Sequence, residues 1–450
     1  METRDEELIL RLREVLAQAP PGAAELEELA RVDPADLAAA ARQLEDGQTV
    51  LLLKSMPEDV SAEVLAHLDE DVREPVLELL TPREIADVVE EMDSDDAADV
   101  LSELEEDKAG EVVDLLGAED REEMARLLAF PEDSAGGIMQ LEVVAVRDHR
   151  NVARTEQKIR ELYGEVKEDF YYVYVVDRDQ RLVGRIPLPR LILAKPETSV
   201  RDIMEDTPWA QAEMDQQEVA QLFQKYDILS LPVVDREHHL IGRITVDDIV
   251  DVIQEEAEED YASLAGTGEE EFLEPSVLRR AAIRLPWLVT GLAGGVLSAL
   301  VLSRFEANLR DVIALAFFVP VITAMGGNVA IQSSAVMVRG LATGEIDARD
   351  AISRLAREVG VSVITGVVCA ALIFTVAWLW SGDFRLGTVV GASMMCVVLI
   401  STSVGALVPL ALDRAHIDPA LATGPFVTTS NDILGILIYL SLATWLFSTP

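Results

Sequence analysis

An acidic side chain lies inside the last long apolar stretch of the chain. This stretch runs from Pro419 to Phe447, and a membrane-spanning helix needs only about 20 residues. Asp432 lies near its middle, after the polar run Thr428-Thr429-Ser430-Asn431 and before Gly435. A carboxylate in the hydrocarbon costs about 2.5–3.5 kcal/mol or more, which makes Asp432 a candidate for an ion path. The alternative is a structural aspartate bonded to neighbouring hydroxyl and amide groups.

A second polar run interrupts another apolar stretch, Val312–Val338. It contains Pro320 and then Gly326-Gly327-Asn328, followed by Gln332. Proline and glycine break a transmembrane helix where protein or water can satisfy the freed backbone groups, and Asn328 and Gln332 would share one helix face. Packing of helices through small residues is the alternative. The last stretch likewise contains Gly424-Pro425 before its polar run. Two broken, polar segments in one membrane domain predict a shared pathway for a hydrophilic solute.

Five apolar stretches are long enough to span a bilayer, and the arginines between them set an orientation. The stretches are residues 285–302, 312–338, 359–380, 386–412 and 419–447. Eight arginines lie on one side (Arg279, Arg280, Arg284, Arg339, Arg349, Arg354, Arg357 and Arg414) and three on the other (Arg304, Arg310 and Arg385). The positive-inside rule places the first set in the cytoplasm, together with the N-terminus, and five crossings leave the C-terminus outside. Five helices of one subunit can hardly enclose a pore by themselves. A homodimer with its pore on or near the twofold axis is therefore favoured.

The negative charge of the chain is concentrated before these stretches. Of 37 basic and 81 acidic residues, positions 276–450 hold 11 and 10, which leaves 26 and 71 for positions 1–275. So acidic a region is unsuited to nucleic acid, which is bound through Lys and Arg, whereas clustered carboxylates suit divalent cations. Disorder is the alternative for such a composition, and a regular apolar pattern argues against it.

That pattern is a 12-residue repeat, in which the first unit begins at Val32 and the second at Leu44. In eight successive units the first, ninth and tenth positions are apolar, and the ninth and tenth positions of the first unit are Ala40 and Ala41. Turn and cap signals such as Asp33-Pro34 separate the units. A unit of about two helical turns cannot bury its apolar edge alone, so we expect the units to stack into an α-helical solenoid.

Residues 138–255 contain one α/β unit twice. Tyr174–Ile186 and Pro232–Ile244 are each predicted to form a strand, a tight turn and a strand, with helices before and after. The pair resembles a tandem CBS domain, a regulatory module that often binds adenine nucleotides between its copies. The ribose-contacting pattern of that family is present once, as Thr245-x-x-Asp248, because Pro187–Arg190 of the first copy lacks the aspartate. The resemblance thus implies ATP or another adenine nucleotide at Thr245 and Asp248, with half of the pattern missing.

An acidic helix is predicted to leave the second copy. Over Asp247–Asp260 the apolar residues have helical spacing and the polar positions are nearly all acidic. Like charges four residues apart destabilise a helix, and a bound cation would relieve that repulsion. Phosphate-loop motifs are absent from the sequence, so we expect neither an ATPase nor another enzyme. Cys369 and Cys396 lie in apolar stretches and are interpreted as small buried side chains.

The order of these parts resembles one known family. The solenoid, CBS pair, acidic helix and five spans occur together with Gly326-Gly327-Asn328-x-x-x-Gln332-Ser333 and Asp432-x-x-Gly435, as in the MgtE family of magnesium channels. The resemblance covers nearly the whole chain, and it departs at Ala330, where the family has glycine. It implies a homodimer in the bacterial cytoplasmic membrane that conducts Mg²⁺ inward, with Asp432 of each subunit forming the ion site. The residues that it places along the pore are Gly326, Gly327, Asn328, Gln332, Thr428, Thr429, Asn431 and Gly435.

The resemblance also implies closure of the channel by cytoplasmic Mg²⁺ that bridges acidic surfaces. The matching positions are Glu63 and Asp95 in the solenoid, Asp227, Asp248 and Asp251 in the second CBS copy, Glu256, Glu259 and Asp260 on the acidic helix, and Asp418 before the last span. Without cations these surfaces would repel each other, and with cations they would close.

The expected architecture is multidomain: an α-helical solenoid, a tandem CBS α/β domain and a five-helix transmembrane domain. The expected boundaries are 1–131 for the acidic N domain, 132–200 and 201–255 for the CBS copies, 247–275 for the connecting helix and 276–450 for the membrane domain. Its partners are Mg²⁺, membrane lipid and a second copy. The alternatives are a transporter that exchanges Mg²⁺ for Na⁺ or H⁺, and a membrane-anchored cation sensor. The five stretches show no obvious second ionisable relay beside Asp432, which favours the channel.

Overall fold

The computed structural model describes residues 2–18, 22–162, 170–265, 276–342, 351–415, 417, 419 and 425–448. They fall into two compact units, Met1–Ile253 and Gln254–Pro450. One helix, Val246–Ala265, continues across the division between them.

The first unit begins with the predicted helical repeat. Its helices are α1 (Glu2–Leu16), α2 (Ala23–Leu29), α3 (Pro34–Ala41), α4 (Asp46–Ser55), α5 (Glu58–Ala66), α6 (Glu70–Leu79), α7 (Pro82–Val89), α8 (Ser94–Ser102), α9 (Glu106–Leu115) and α10 (Ala118–Leu127). From α3 to α10 the helices start at equal intervals along the chain, so the repeat of the sequence is confirmed as a repeat of helices. The apolar positions of the repeat are mostly buried, and Ala125 of the last unit is an exposed exception.

Most solenoid helices pack against the helix two units later, as α3 does against α5 and α5 against α7. Basic side chains link helices of different units through ion pairs and hydrogen bonds. Lys54 pairs with Glu84 at 2.8 Å, and Arg73 Nε donates to Glu103 Oε1 at 2.9 Å. Lys108 Nζ donates to the carbonyl oxygen of Leu77 at 2.7 Å, near the end of α6. These three basic side chains thus stabilise the stacking of the solenoid helices.

Two sheets of identical topology follow, as the duplicated sequence predicts. In the first, β1 (Ala145–Arg147) is parallel to β2 (Tyr172–Val176), which is antiparallel to β3 (Leu182–Pro187). In the second, β4 (Ala210–Gln211), β5 (Ser230–Val234) and β6 (Leu240–Thr245) repeat this order. Their helices are α11 (Val152–Leu162), α12 (Leu188–Leu193), α13 (Val200–Ile203) and α14 (Gln216–Tyr226).

The two copies join at their hairpins. The backbone N–H of Leu182 donates to His238 O at 3.0 Å, and that of Leu240 donates to Gln180 O at 3.2 Å. Behind the hairpins, the hydroxyl groups of Tyr174 and Ser230 are hydrogen-bonded at 2.8 Å, and both residues are buried. The copies therefore form one module. Helix α15 (Val246–Ala265) leaves it as the expected acidic helix.

Within its described residues, the second unit contains five helices that are long and apolar enough to cross a membrane. They are α16 (Val277–Arg304), α18 (Ala314–Ala342), α19 (Ala351–Ser381), α20 (Phe384–Asp413) and α21 (Pro425–Ser448), with a short α17 (Glu306–Asp311) between the first two. Packed aromatic side chains mark one end of the group, where Phe317 faces Trp380 and Phe374 faces Phe384. Such aromatic belts are typical of a membrane–water interface.

One expectation about these helices is wrong. Helix α18 runs without interruption through Gly326 and Gly327, so the segment is not broken there. Gly326 instead allows close packing, because a Cβ at this position would lie 3.0 Å from Val397 of α20. In the last segment, Gly424 lies outside the described residues, and Pro425 is the first residue of α21, where a proline costs no hydrogen bond.

Candidate functional site

Asp432 lies about two turns after the start of α21, and its side chain is half-buried. One turn earlier, Thr429 contacts α16, since a Cβ on Gly294 would overlap Thr429 Cγ2. One turn later, a Cβ on Gly435 would lie 3.9 Å from Val397 of α20. Because side chains three residues apart lie near one another on a helix surface, Asp432 projects between the surface of α21 that packs on α16 and the surface that packs on α20.

Asn431, the neighbour of Asp432, is buried. Its side-chain Nδ2 donates to Val427 O at 3.0 Å, one turn earlier in the same helix. Its Oδ1 is also buried and has no hydrogen-bond partner within the described part of the chain. Thr428 and Thr429 are half-buried. The first two turns of α21 thus place several oxygen atoms around Asp432 inside the helix bundle.

Helix α18 packs along α20 with a constant offset in sequence. Gly326 lies against Ser401, and Gly405 lies against Ala330, where a Cβ on Gly405 would overlap the Ala330 carbonyl oxygen. In both pairs the residue numbers differ by the same amount, so the two helices run parallel and in register. Ala330, the residue that departs from the family pattern, is fully buried, and Gly405 provides the space for it.

The opposite side of α18 carries the two amides predicted to share a face. Asn328 and Gln332 are both exposed in the single chain, while Gly326, Ala330 and Met337 are buried on the side that faces α20. Gly327 has open space where a side chain would begin. An exposed polar stripe on a membrane helix is costly in lipid, so it requires water or another protein surface beside it.

The structure adds a carboxylate that lies just outside the apolar stretches of the sequence. Helix α19 starts at Ala351 rather than near Val359, and Glu358 belongs to the stretch Ile352–Ser381 that can span a membrane. Ser333 Oγ of α18 donates to Glu358 Oε2 at 3.4 Å. The spanning helix therefore includes a second carboxylate, which the apolar run of the sequence does not contain because the helix begins well before that run.

In the first unit, carboxylates of the solenoid meet carboxylates of the second CBS copy. Burial and the negative charge of Asp248 raise the pKa of Asp96 to about 7. Burial likewise raises the pKa of Asp248, although Thr245 donates hydrogen bonds to it. The pKa of Asp251 is raised by burial and by the charge of Asp247, while His67 opposes this shift. Carboxylates that lie this close together could serve as oxygen ligands of a divalent cation.

The predicted regulatory residues differ in their surroundings. Asp95 is buried beside Asp96, whereas Glu63 and Asp227 are exposed and Glu256 is half-buried. Asp227 ends α14 in the left-handed conformation, with φ of 48°. Glu259 and Asp260 belong to α15, but their side chains are outside the described residues, and so is Asp418. The structure thus brings Asp248 close to Asp96 and Asp251 close to His67 of the solenoid.

Sequence reasoning did not identify Asp96, nor an acidic cavity nearby. The cavity has a volume of about 200 Å³, and its lining includes Glu90, Asp93, Asp120, Glu123 and Glu142. Ser94 fixes one wall, because its Oγ donates to Glu142 Oε2 at 2.7 Å and accepts the N–H of Leu141 at 2.8 Å. The local signal is the run Asp93-Ser94-Asp95-Asp96, but the high density of acidic residues everywhere in the solenoid conceals it.

The two residues of the nucleotide-binding pattern, Thr245 and Asp248, are hydrogen-bonded to each other. Asp248 Oδ2 accepts hydrogen bonds from Thr245 N at 3.2 Å and from Thr245 Oγ1 at 2.5 Å. At the corresponding place in the first copy, Arg190 pairs with Glu205 at 3.1 Å. The two copies therefore differ in charge at the position where the CBS pattern has its aspartate.

Comparison with known proteins identifies three parts of the chain. Residues 32–133 match the model of the MgtE intracellular N domain, residues 200–255 that of the CBS domain, and residues 319–442 that of a divalent cation transporter, MgtE. The soluble region resembles a crystal structure of the cytosolic domain of the Mg²⁺ channel MgtE in complex with ATP, at 36% identity and a TM-score of 0.51. That likeness covers 54% of this chain and 99% of the other.

Relatives that include the membrane region give the same result. The magnesium transporter MgtE of Bacillus subtilis is 39% identical over 328 residues, which is 73% of this chain and 72% of the relative. The magnesium transporter MgtE of Thermus thermophilus is 39% identical over 326 residues, 72% of each chain. The resemblance inferred from the sequence is thus confirmed, and so is the combination of helical, CBS and membrane regions. The chain belongs to the MgtE family of magnesium transporters.

Proposed function

We propose that this protein is a homodimeric channel that carries Mg²⁺ into the cytoplasm, with Asp432 of both subunits binding the ion. The observation that supports this proposal most directly is the position of Asp432, half-buried among Asn431, Thr428 and Thr429 on a membrane helix. A carboxylate at that place is costly unless it serves an ion or a partner charge. Family membership supplies the ion, Mg²⁺.

The proposal of a homodimer rests on helix surfaces that are exposed in the single chain. Asn328 and Gln332 are exposed on α18, and most of α16 is exposed as well, with Gly294 and Ser298 as its buried positions. A second copy related by a twofold axis would bring two α18 stripes and two Asp432 side chains toward one another. The polar stripes would then line a common aqueous path instead of facing lipid.

The chemistry of the site suits a hydrated ion. Mg²⁺ dehydrates reluctantly and prefers octahedral oxygen ligands, so one or two carboxylates with retained water are the usual arrangement. Two Asp432 carboxylates would hold such an ion by charge, and the neighbouring threonine and asparagine oxygens would accept hydrogen bonds from its water. Binding through water keeps the ion loose enough to leave.

The orientation rests on the arginines and the aromatic belt. The eight-arginine side of the sequence lies opposite to the end where Phe317, Phe374 and Trp380 gather. With the positive side inside, the N-terminal unit lies in the cytoplasm and the aromatic end faces outward. Asp432, near the start of α21, then lies in the cytoplasmic half of its helix.

Closure by internal Mg²⁺ is the second part of the proposal. The support is the set of raised pKa values in this group. Burial raises all three, the charge of Asp248 adds to the shift of Asp96, and the charge of Asp247 adds to the shifts of Asp248 and Asp251. Mg²⁺ would hold these surfaces together, and Glu63, Asp95, Asp227, Glu256, Glu259, Asp260 and Asp418 are proposed to take part. Deletion of residues 1–130 should weaken inhibition by internal Mg²⁺, and unaltered inhibition would remove the solenoid from the sensor.

A nucleotide is proposed for the CBS pair as well. The support is the likeness to a cytosolic domain solved with ATP and the Thr245–Asp248 pair in the second copy. Titration of the protein with ATP, followed by calorimetry, tests this point. Asp248→Asn should weaken the binding of ATP.

Mg²⁺ influx into proteoliposomes tests the channel itself. Asp432→Asn should reduce influx at least tenfold, because the variant keeps the shape of the side chain and loses its charge. Asp311→Asn, at an exposed position at the end of α17, is the matched control and should conduct like the wild type. Unchanged influx in Asp432→Asn would refute the ion site, and strict dependence on a Na⁺ or H⁺ gradient would replace the channel by a coupled exchanger.

A further inference from the structure

Glu358 is a membrane-helix carboxylate with a single hydrogen bond among the described residues. Ser333 Oγ donates this bond from α18, at 3.4 Å, and Ser333 is 5% exposed. Glu358 itself is half-buried. Two basic residues, Arg354 and Arg357, are close to Glu358 in sequence on the same helix.

The depth of Glu358 can be counted along α19. It lies 20 residues before Trp378, about 30 Å at 1.5 Å per residue, which equals the thickness of the hydrocarbon. Trp378 belongs to the aromatic belt, where its ring faces Phe384. Glu358 is therefore at the opposite edge of the hydrocarbon, where a carboxylate can still reach water.

The level of Glu358 relative to Asp432 follows from helix contacts. Val397 lies against both Gly326 and Gly435, so these two glycines are at one level of the bundle, and Asp432 is one turn from it. Tyr439 OH donates to Leu315 O at 2.9 Å, which shows that α21 and α18 run in opposite directions. Ser333 lies seven residues beyond Gly326 on α18, about 10 Å further toward the end where α21 begins.

We propose that Glu358, with the Ser333 hydroxyl, forms a second Mg²⁺ site on the cytoplasmic side of Asp432. This inference rests on the proposed function, which supplies the ion and the orientation. An ion that leaves Asp432 toward the cytoplasm passes the level of this carboxylate, which Ser333 holds beside α18.

The ligands at this place suit the ion. A carboxylate and a hydroxyl are hard oxygen ligands, and the half-exposed position leaves room for the water that Mg²⁺ retains. Two separate sites of moderate affinity release an ion faster than one tight site, because an ion that enters the first can displace the ion in the second. The second carboxylate would therefore accelerate exit to the cytoplasm.

The test compares Glu358→Gln with the wild type in proteoliposomes, with Mg²⁺ influx measured over a range of external Mg²⁺. The amide keeps an oxygen that can accept the bond from Ser333 and removes only the charge. We expect maximal influx to fall about tenfold, as for the loss of one charged ligand, and Glu358→Asp to restore part of it. Glu306→Gln is the control, since Glu306 is an exposed carboxylate that pairs with Arg310 on α17.

The outcomes separate three explanations. Wild-type influx in Glu358→Gln overturns the site, even if Glu358→Ala is impaired, because Glu358 would then only hold α18 in place. If Mg²⁺ influx depends on a proton gradient in the wild type, and Glu358→Gln retains the influx but loses this dependence, Glu358 is a proton relay and the second Mg²⁺ site is overturned. Absence of Mg²⁺ influx in the wild type, or normal influx in Asp432→Asn, would instead refute the proposed function. Monodispersity on gel filtration and an unchanged melting temperature establish that each variant is folded.

Discussion

Gly294 of α16 and Thr429 of α21 are in such close contact that no side chain fits between them. A Cβ on Gly294 would overlap both Cγ2 and Oγ1 of Thr429. At this point α16 packs tightly on the helix that carries Asp432, three residues further along. The position of the carboxylate thus depends on a glycine in another helix.

Gly294→Ala is expected to reduce Mg²⁺ influx and to lower thermal stability. The added methyl group must push α21 away from α16, and overpacking of this kind costs about 1–3 kcal/mol. Influx into proteoliposomes and the melting temperature in detergent are the measurements. Gly295→Ala is the control, because nothing lies within 4 Å of a Cβ at Gly295. Equal behaviour of the two variants would contradict the contact.

Arg73→Gln is expected to destabilise the solenoid by about 3 kcal/mol, because it leaves a buried partner charge uncompensated. Arg73 donates to Glu103 and to the carbonyl oxygen of Ala66, and the side chains of Arg73 and Glu103 are each 14% exposed. Arg83→Gln removes an exposed pair with Asp87 instead, and should cost about 0.5 kcal/mol or less. Urea unfolding of both variants measures the difference, and similar values would show that the Arg73 bridge adds nothing.

Tyr174→Phe is expected to weaken the joint between the CBS copies. The substitution removes a buried hydrogen bond of 2.8 Å and leaves the Ser230 hydroxyl without it, which costs about 1–2 kcal/mol. Thermal unfolding of the soluble region should show the loss. Tyr171→Phe, at an exposed position, is the control and should melt like the wild type.

The soluble region is expected to be less stable at pH 8 than at pH 5 when divalent cations are absent. Burial and Asp248 raise the pKa of Asp96 to about 7, whereas an unfolded aspartate titrates near 4. Between these values the native state keeps a proton that the unfolded chain has lost, so stability falls as the pH rises. Melting temperatures of residues 1–265 at each pH measure this.

Asp96→Asn provides the control for this dependence. The amide cannot ionise, so the variant should lose part of the difference between pH 5 and pH 8, whereas Asp59→Asn at an exposed position should keep all of it. The rest of the difference is expected from Asp99 and Asp248, because burial also raises their pKa values. Addition of Mg²⁺ at pH 8 should stabilise the wild type more than Asp96→Asn. A pH dependence that survives unchanged in Asp96→Asn would assign it to other groups.

Local patterns are sufficient to predict most of the architecture. The apolar period of the solenoid carries its own start signals, such as Pro34 and Pro82 at the first helical position, and the observed helices begin there. The duplicated hairpins at Tyr174 and Pro232 likewise contain the strand alternation and the turn in one stretch. Each of these signals acts over a few residues and depends on no distant contact.

The site is harder to predict because its geometry depends on distant contacts. Gly326-Gly327 favours a break when the sequence alone is considered, although Gly326 serves close packing against Val397 within a continuous helix. Glu358 lies beyond the edge of an apolar run, and its partner, Ser333, is 25 residues earlier in another helix. Asp96 cannot be distinguished from its acidic neighbours, because the repulsion from Asp248 arises only when two domains meet.

The packing of solenoid helices on the helices two units later also limits how this domain can change length. Helices α3, α5, α7 and α9 form one layer, and the helices between them form the other. Insertion or deletion of one unit would move every later helix into the wrong layer and turn its apolar edge outward. Gain or loss of two units together would preserve both layers. Duplications in pairs are therefore the natural steps by which such a solenoid lengthens in evolution or by design.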